Sequence, residues 1–191
     1  MKPQSEPRCR ASQILRGEEM AELHDLVSAA KKGDKNAFSQ LYQEIYKELY
    51  KFALYCLKDE QDAEDAVSEA VLDAWQGMHR LRQDDAFRPW MFKILSAKCK
   101  RRMRAYVRHR SETNLEDLEI PVSGGFESGE SMELRSALNQ LSDEERLILS
   151  LVITGGYDSG EVASMLRMNR NTVRSKQSRA LAKLKTMLSS G

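Results

Sequence analysis

A basic segment near the C-terminus has the residue types and spacing that nucleic-acid binding requires. Residues 167–185 hold seven Lys and Arg residues and no acid. A helix through this segment turns four apolar residues inward, namely Val173, Ala180, Leu181 and Leu184. At 100° per residue, the opposite face then carries Asn171, Ser175 and Ser178, with Thr172 and Arg179 beside them. This arrangement predicts a helix with an apolar inner face and a polar, basic outer face.

Short polar side chains at the centre of such a face can reach base edges in a DNA groove, while flanking cations contact phosphates. The residues predicted to contact duplex DNA are therefore Arg170, Asn171, Thr172, Arg174, Ser175, Lys176, Ser178 and Arg179. A helical hairpin that binds no DNA would share the apolar spacing, but the combined placement of polar, basic and small residues favours DNA binding.

Charge is segregated along the chain although its total nearly cancels. The sequence has 30 basic and 29 acidic residues, for a net charge of +1. Residues 59–73 and 111–133 each hold seven acids and no base, whereas residues 98–110 hold seven bases and no acid. Solvated helix faces would explain one such block. Several unmixed blocks predict at least two kinds of partner surface.

The sequence gives little support for catalysis, metal binding or disulfide formation. The three histidines, His24, His79 and His109, are isolated, and the three cysteines are far apart with no CxxC spacing. We therefore expect no catalytic residues, no metal site, no cofactor and no disulfide. No run approaches the roughly 18 apolar residues of a membrane span, and the N-terminus has no apolar signal core. A cytoplasmic protein is expected.

The elements that must position these residues are predicted to be helices throughout. Residues 23–110 keep apolar steps of three and four, which are typical of α-helices. Asp34 and Asp59 are placed to cap two of them, and Pro89 fits the first turn of a helix that runs to about Arg108. These residues are predicted to form one helical domain.

The rest of the chain is predicted to hold a tail, a linker and a second domain. Residues 1–22 are polar and are expected to form a mobile tail, with a helix near its end left open. Residues 111–132 contain a Pro and several Gly and are expected to form an acidic linker. Residues 133–188 are predicted to form a smaller helical domain, in which Ser142 and Glu145 give a capping box.

The end of this second domain predicts a helix-turn-helix. Asp158 and Glu161 give another capping box for a short helix to about Leu166, and the basic helix begins near Asn171 after a short turn. The predicted fold class is all-α, with two small helical domains joined by a flexible linker, the second with a helix-turn-helix.

These residues also carry a resemblance to a known family. The C-terminal stretches are Leu141–Arg146 (LSDEER), Gly156–Ala163 (GYDSGEVA) and Asn171–Ala180 (NTVRSKQSRA). They resemble region 4 of bacterial extracytoplasmic-function (ECF) sigma factors. The upstream stretches are Gly33-Asp34, Ala37-Phe38, Asp62–Val67 (DAEDAV), Ala74-Trp75 and Phe87–Ile94 (FRPWMFKI). They are similar to region 2 of the same family.

The resemblance implies a non-enzymatic, alternative sigma factor that directs promoter-specific transcription initiation. It implies that residues 23–110 bind the β′ clamp helices of core RNA polymerase and open the −10 promoter element. It implies that residues 133–188 read the −35 element and pack against the β flap. A cognate anti-sigma factor is a further implied partner.

Residue roles follow from the same resemblance. The polymerase contact would be an acidic stripe on one helix face, Asp62, Asp65, Glu69 and Asp73. The −10 contacts would be Phe87, Arg88, Trp90, Lys93, Ala97, Lys98 and Arg101. Exposed aromatic and Arg side chains can hold an unstacked base of single-stranded DNA. For Trp75 we favour core packing, whereas packing and stacking both stay open for Trp90.

Three departures from the family pattern leave the promoter sequence unpredictable. Ala97 stands where many members carry Asn, Asn171 where Gly is common, and Gln177 where an apolar residue is common. The main alternative is a stand-alone helix-turn-helix regulator that does not bind polymerase. Such a regulator is expected to carry a sensor domain, and residues 23–110 show no ligand-pocket signature.

Overall fold

The computed structural model describes residues 10–113 and 132–188, where every regular element is helical. The eight α-helices are α1 (Arg10–Lys31), α2 (Lys35–Leu57), α3 (Glu60–Gly77), α4 (Phe87–Thr113), α5 (Met132–Asn139), α6 (Asp143–Ile153), α7 (Ser159–Leu166) and α8 (Arg170–Leu188). Two short 3-10 turns, Met78–Arg80 and Asp84–Ala86, connect α3 to α4. The predicted all-α fold is confirmed.

The helices begin where the sequence places capping side chains. The Asp34 carboxylate accepts hydrogen bonds from the backbone N–H groups of Asn36 and Ala37, and Asp59 caps α3 in the same way. Ser142 with Glu145 forms the predicted capping box of α6. Such caps satisfy N–H groups that have no partner within the helix. They set the starts of the helices that carry the predicted site residues.

The helix-turn-helix is formed by α7 and α8. Asp158 and Glu161 form the capping box that starts α7. The helix ends at Leu166, and the next residue, Arg167, has a φ of 54° in the left-handed region. Val162, Ala163 and Val173 are buried between the two helices. The short turn thus holds α8 across α7 with its basic face outward.

In the first domain, α2 is the central element and contacts α1, α3 and α4. Its apolar side is fully buried, with Leu49 and Phe52 at 0% exposure. The Phe52 ring meets the Phe92 ring of α4 edge-on at 5.6 Å between centroids. Trp75 on α3 packs edge-on against Phe38 at 5.2 Å, so the core position favoured for Trp75 is the one observed.

The two predicted domains are packed against each other. One continuous core joins residues of α2 and α4 to Ile148, Leu151 and Tyr157. The Phe92 ring of α4 lies 5.4 Å from the Tyr157 ring, again edge-on. A second apolar cluster places Tyr55 of α2 among residues of α5, α6 and α8. The sequence showed two helical units but gave no sign of this shared core. Most of the predicted linker, residues 114–131, lies outside the described residues.

The structure sharpens one sequence expectation about the ends of elements and corrects another. Helix α1 begins at Arg10, so the helix left open for the end of the predicted tail covers residues 10–22. Leu181, predicted to face inward, is 45% exposed. The buried side of α8 runs through Val173, Ala180 and Leu184, at steps of seven and four. Leu181 lies 100° further round than Ala180, at the edge of that side.

Two features are absent from the described residues. Between residues 10 and 113 and between 132 and 188, none of the helices has the length and apolarity needed to cross a membrane. The same parts of the chain hold no group of three or more His, Cys, Asp or Glu side chains placed to bind a metal ion.

Candidate nucleic-acid interface

The predicted duplex-binding face of α8 lies open to solvent. Seven of its eight predicted contacts are exposed, namely Arg170, Asn171, Thr172, Arg174, Ser175, Ser178 and Arg179. The eighth, Lys176, is partly buried because its Nζ pairs with a Glu144 carboxylate oxygen at 2.7 Å. The structure therefore places seven of the eight predicted contacts on the exposed part of α8, with Lys176 at its edge.

Helix α8 is held on α6 and α7 by polar contacts on its inner flanks. Lys183 Nζ lies 2.8 Å from Glu145 Oε2, and Glu145 is itself buried in its capping box. The hydrogen bond from Lys183 holds the pKa of Glu145 below its ordinary value, against the opposing effect of burial. The Ser159 hydroxyl donates to Gln177 Oε1 at 3.0 Å. These contacts fix the direction in which the exposed face of α8 points.

The predicted −10 contacts do not form one surface. Phe87, predicted to be exposed, is only 2% exposed and packs against the Phe38 ring at 6.4 Å. It is the first residue of α4, and the approach from the preceding 3-10 turn directs its side chain into the core. Trp90 is partly buried near Gly77, where an added Cβ would lie 3.4 Å from the indole ring. Lys93 and Ala97 are exposed.

Arg88, whose side chain is 38% exposed, makes three hydrogen bonds inside the molecule. Its Nη2 and Nε donate to Glu48 Oε2 at 2.6 and 3.0 Å, and its Nη1 donates to the Gly155 carbonyl at 2.9 Å. The guanidinium carbon also lies 5.3 Å from the Phe92 ring centroid and 5.5 Å from that of Tyr157. Arg88 therefore joins α2 and α4 of the first domain to the turn between α6 and α7.

The acidic stripe faces the basic part of α4. Lys98 Nζ lies 2.6 Å from Asp73, and Arg101 Nη2 lies 2.5 Å from Glu69. Lys98 and Arg101 were predicted to contact the −10 element, whereas the stripe was predicted to contact polymerase. The basic residues predicted to contact the −10 element and the acidic residues predicted to contact polymerase thus form ion pairs with each other within one domain.

Arg102 is the central cation of this network. It donates to Asp62 Oδ1 at 2.9 Å and to Glu69 Oε1 at 2.7 Å, and it lies 3.9 Å from Asp65. Burial tends to raise the pKa of Glu69, but Arg102, Arg101 and Lys98 outweigh it and lower the value. For Asp62, burial dominates and the pKa is raised despite Arg102. The stripe is therefore partly desolvated and internally paired.

Another face of α3 is more open and borders α2. Here Tyr42, Tyr46 and Tyr50 of α2 form a row, with ring centroids 5.5 and 6.1 Å apart. Tyr46 is 41% exposed, and Leu72 of α3 is 61% exposed. The pKa of Tyr50 is raised by burial and by the nearby charges of Glu60 and Glu64. We call Tyr46, Tyr50, Glu64 and Leu72 the α2/α3 seam.

The residues that join the two domains were not expected from the sequence. Arg146 is 4% exposed, and its Nε donates to the Cys56 carbonyl of α2 at 3.0 Å. Its other nitrogens bond the Leu141 carbonyl and Asp143. Lys58 Nζ donates to the Asn139 carbonyl at 3.1 Å. One signal was present, because Arg146 is a cation directly before the apolar positions Leu147 and Ile148.

Comparisons with known protein families match both halves of the chain. Residues 41–109 match Sigma-70 region 2, and residues 131–184 match Sigma-70 region 4. Among curated proteins, the ECF RNA polymerase sigma factor SigM of Mycobacterium tuberculosis is 30% identical over 164 residues, which span 86% of this chain and 83% of SigM. The RNA polymerase sigma factor NccH of Alcaligenes xylosoxydans xylosoxydans is 32% identical, over 86% of this chain and 94% of NccH.

Solved structures give the same fold. The sigma factor RpoE, in complex with the anti-sigma factor NepR from Bartonella quintana, matches with a TM-score of 0.70 and 23% identity. That match covers 80% of this chain and 96% of RpoE. CnrH, in complex with the cytosolic domain of CnrY, matches with a TM-score of 0.63 and 25% identity, over 88% of this chain and 98% of CnrH.

Proposed function

Because this chain belongs to the ECF sigma factors of the sigma-70 family, we propose that its two domains divide promoter recognition between them. At the level of the family, the protein is an alternative sigma factor that binds core RNA polymerase and directs transcription initiation at specific promoters. Sigma factors are non-enzymatic regulators of transcription, and residues 41–109 and 131–184 of this chain match sigma-70 regions. The assignments to residues that follow are proposals.

The observation that carries the proposal is the exposed face of α8. Asn171, Ser175 and Ser178 occupy its centre, and Arg174 and Arg179 lie at its sides. A helix of this kind fits the major groove with its polar centre against base edges and its cations on phosphates. We assign reading of the −35 element to this face of the second domain.

We assign the −10 element to the start of α4. Lys93 and Ala97 are exposed there, and Trp90 has one side open to a groove that α7 borders. Arg88 has the chemistry to stack on a base or to contact phosphate once its internal partners are released. Phe87 supports this surface from the core and does not itself contact DNA.

For polymerase, we propose that the clamp helices contact the α2/α3 seam and reach the adjacent Asp65. Asp65 is the most exposed carboxylate of the acidic stripe, with 60% of its side chain accessible. Within the described residues, Glu64 makes no ion pair, whereas Asp62, Glu69 and Asp73 are engaged by α4. We assign those three to fixing α4 on α3. The contact with the β flap is assigned to the second domain.

We also propose a cognate anti-sigma factor and a cytoplasmic location beside the polymerase. RpoE, which shares this fold, was solved bound to an anti-sigma factor. The residues of this chain do not identify which protein would fill that role.

Run-off transcription tests the proposed function. Purified core RNA polymerase is incubated with fragmented genomic DNA, with and without this protein, and the transcript starts are mapped. We expect transcripts that depend on the protein and start at a fixed distance from two shared sequence elements. Binding to duplex DNA without binding to core polymerase would instead favour the stand-alone regulator. Arg174→Ala together with Arg179→Ala serves as a folded variant that is expected to lose most transcripts.

A further inference from the structure

The start of α4 and the α6–α7 turn meet at a single guanidinium group. The Nε, Nη1 and Nη2 atoms of Arg88 all donate to partners inside the molecule, on Glu48 and on the Gly155 carbonyl. The flat guanidinium group also has the Phe92 and Tyr157 rings within 5.5 Å. A guanidinium recognises single-stranded DNA by the same two means, donated hydrogen bonds and stacking. In this arrangement, Arg88 makes both its hydrogen bonds and its ring contacts within the protein.

The turn that supplies Gly155 and Tyr157 has a shape that other residues would disturb. A Cβ at Gly155 would lie 2.5 Å from the Tyr157 ring and 2.6 Å from the Leu151 carbonyl oxygen. Gly156 follows with a φ of 71°, in the region that favours glycine. The chain therefore folds back sharply, and Tyr157 is only 6% exposed against Phe92.

A second attachment lies at the far end of α2. Arg146 reaches the Cys56 carbonyl, and Lys58 reaches the Asn139 carbonyl. If the domains separated, Arg146 would keep Leu141 and Asp143 as partners, because both belong to its own domain. Helix ends expose carbonyls that water can also satisfy. This attachment therefore adds to the interface without preventing its release.

We propose that Glu48, Arg88, Gly155 and Tyr157 form an interdomain latch that holds the free protein closed. The latch withholds Arg88 from the −10 element while the −35 face of α8 stays open. Opening of the latch is then a step between the free protein and the form that opens promoter DNA. The inference rests on the proposed function in one respect, which is the assignment of the −10 element to the start of α4.

The geometry supports this asymmetry between the two DNA-binding faces. Helix α7 borders the groove beside Trp90 and Lys93, with Glu161 and Ser164 among the lining residues. A carboxylate at that position repels the phosphates of a DNA strand that approaches α4. By contrast, the exposed residues of α8 point away from α6 and α7, so closure leaves them accessible.

Small-angle X-ray scattering of the full chain, without DNA or polymerase, tests the latch. A compact chain of 191 residues has a radius of gyration of about 16 Å, and residues outside the two domains add equally to every variant. We expect Tyr157→Ala to increase the radius by at least about 4 Å relative to the wild type. Ile153→Ala is the matched control, because Ile153 is near the same turn, is 53% exposed and is not among the hydrogen-bond or ring partners of Arg88.

A second variant covers the case in which Tyr157→Ala fails to fold, as judged by circular dichroism. Arg88→Met removes the guanidinium group that donates to the Gly155 carbonyl across the two domains, and it is expected to expand the chain in the same direction. The latch is contradicted if the wild type is already as expanded as the variants. It is equally contradicted if both folded variants, or Arg88→Met alone where Tyr157→Ala does not fold, stay as compact as the control.

The scattering result is independent of the run-off result. A closed wild type that supports no transcription would remove the proposed function and leave the closed form standing. An expanded wild type that supports transcription would remove the closed form and leave the proposed function standing. The two failures are therefore distinguishable.

Discussion

The exposed face of α8 and the start of α4 are both assigned to DNA, yet the structure presents them in opposite states. On α8, the central polar side chains and Arg174 face solvent, and of the eight predicted DNA contacts only Lys176 has an ion-pair partner within the described residues. On α4, Phe87 is in the core and Arg88 is bonded to two other elements. The α8 face is open to a ligand, whereas Phe87 and Arg88 at the start of α4 make contacts within the protein.

This difference reflects how each helix is held. Helix α8 is anchored through its inner side, by Val173, Ala180 and the Lys183–Glu145 pair, which leaves its outer side free. Helix α4 lies between α2, α3 and the second domain, and only the side through Lys93 and Ala97 is open to solvent within the described residues. A helix at the centre of a fold can bind a large ligand only after a neighbour moves. We expect the two faces to respond differently to the same disturbance.

The largest effect is expected from Arg146, which joins the two domains from a buried position. Arg146→Met keeps the apolar volume but leaves the Cys56 and Leu141 carbonyls without a donor. Lost hydrogen bonds of a charged group predict a fall of about 3 kcal/mol in the free energy of unfolding. Urea denaturation followed by circular dichroism measures it. Asp143→Asn is the control, since its side chain is 45% exposed, and a similar loss there would mean that the buried carbonyl bonds contribute little.

The next effect separates the two acidic faces of α3. Glu64→Lys places a cation on the seam and is expected to weaken binding to core polymerase by about tenfold, because the surface would repel a basic partner. Asp73→Asn is the comparison, since it removes one internal pair and leaves the seam unchanged. Surface plasmon resonance with immobilised core enzyme gives both affinities. Equal losses of affinity in the two variants would indicate that the whole acidic stripe contacts polymerase.

A smaller effect concerns the pH dependence of the contact that anchors α8. The pKa of Glu145 is lowered in the folded protein by its hydrogen bond from Lys183. The pair is therefore fully stabilising above the ordinary carboxyl value of about 4.5, and this contribution disappears as the pH falls through the lowered value. Glu145→Gln should lower Tm at pH 7 through a loss of about 1 kcal/mol, and the difference from wild type should shrink towards pH 3.

The matched control for this pH prediction is Glu144→Gln. Its carboxylate is 52% exposed, so solvent screens its pair with Lys176 and little change in Tm is expected. A difference in Tm between Glu145→Gln and wild type that does not vary with pH would assign the effect to packing alone.

The smallest effect distinguishes two cations on the same face. Arg174 makes no ion pair in the described parts of the chain, whereas Lys176 is partly neutralised by Glu144. Arg174→Ala should reduce the salt dependence of duplex binding by about one counterion. Lys176→Ala should reduce it by less. Fluorescence anisotropy on one duplex across a salt series measures both, and a larger change at Lys176 would show that Glu144 releases it to DNA.

Much of the fold could be predicted because local signals agree. The caps at Asp34, Asp59 and Ser142 each mark a helix start, and apolar steps of three and four mark the buried sides. The outward face of α8 followed from the same periodicity. Each of these features depends on residues within a few turns of one another, so one sequence is enough to reveal them.

The contacts between distant segments could not be predicted in this way. Arg88 lies 67 residues from Gly155, and Arg146 lies 90 residues from Cys56. Periodicity shows that a helix has a polar side but not which helix that side will face. The acidic stripe is an example, since its spacing suits a partner protein and α4 equally well. The burial of Phe87 likewise depends on the path of the preceding turn.

The most direct test of the difference between the two faces is chemical modification of arginine in the free protein. Phenylglyoxal modifies accessible guanidinium groups, and mass spectrometry of the digested chain gives a rate for each site. We expect Arg174 to react at least about tenfold faster than Arg88, which is hydrogen-bonded at three nitrogens. Tyr157→Ala should accelerate modification of Arg88 and leave Arg174 unchanged. Equal rates at the two arginines in the wild type would contradict a closed −10 face beside an open −35 face.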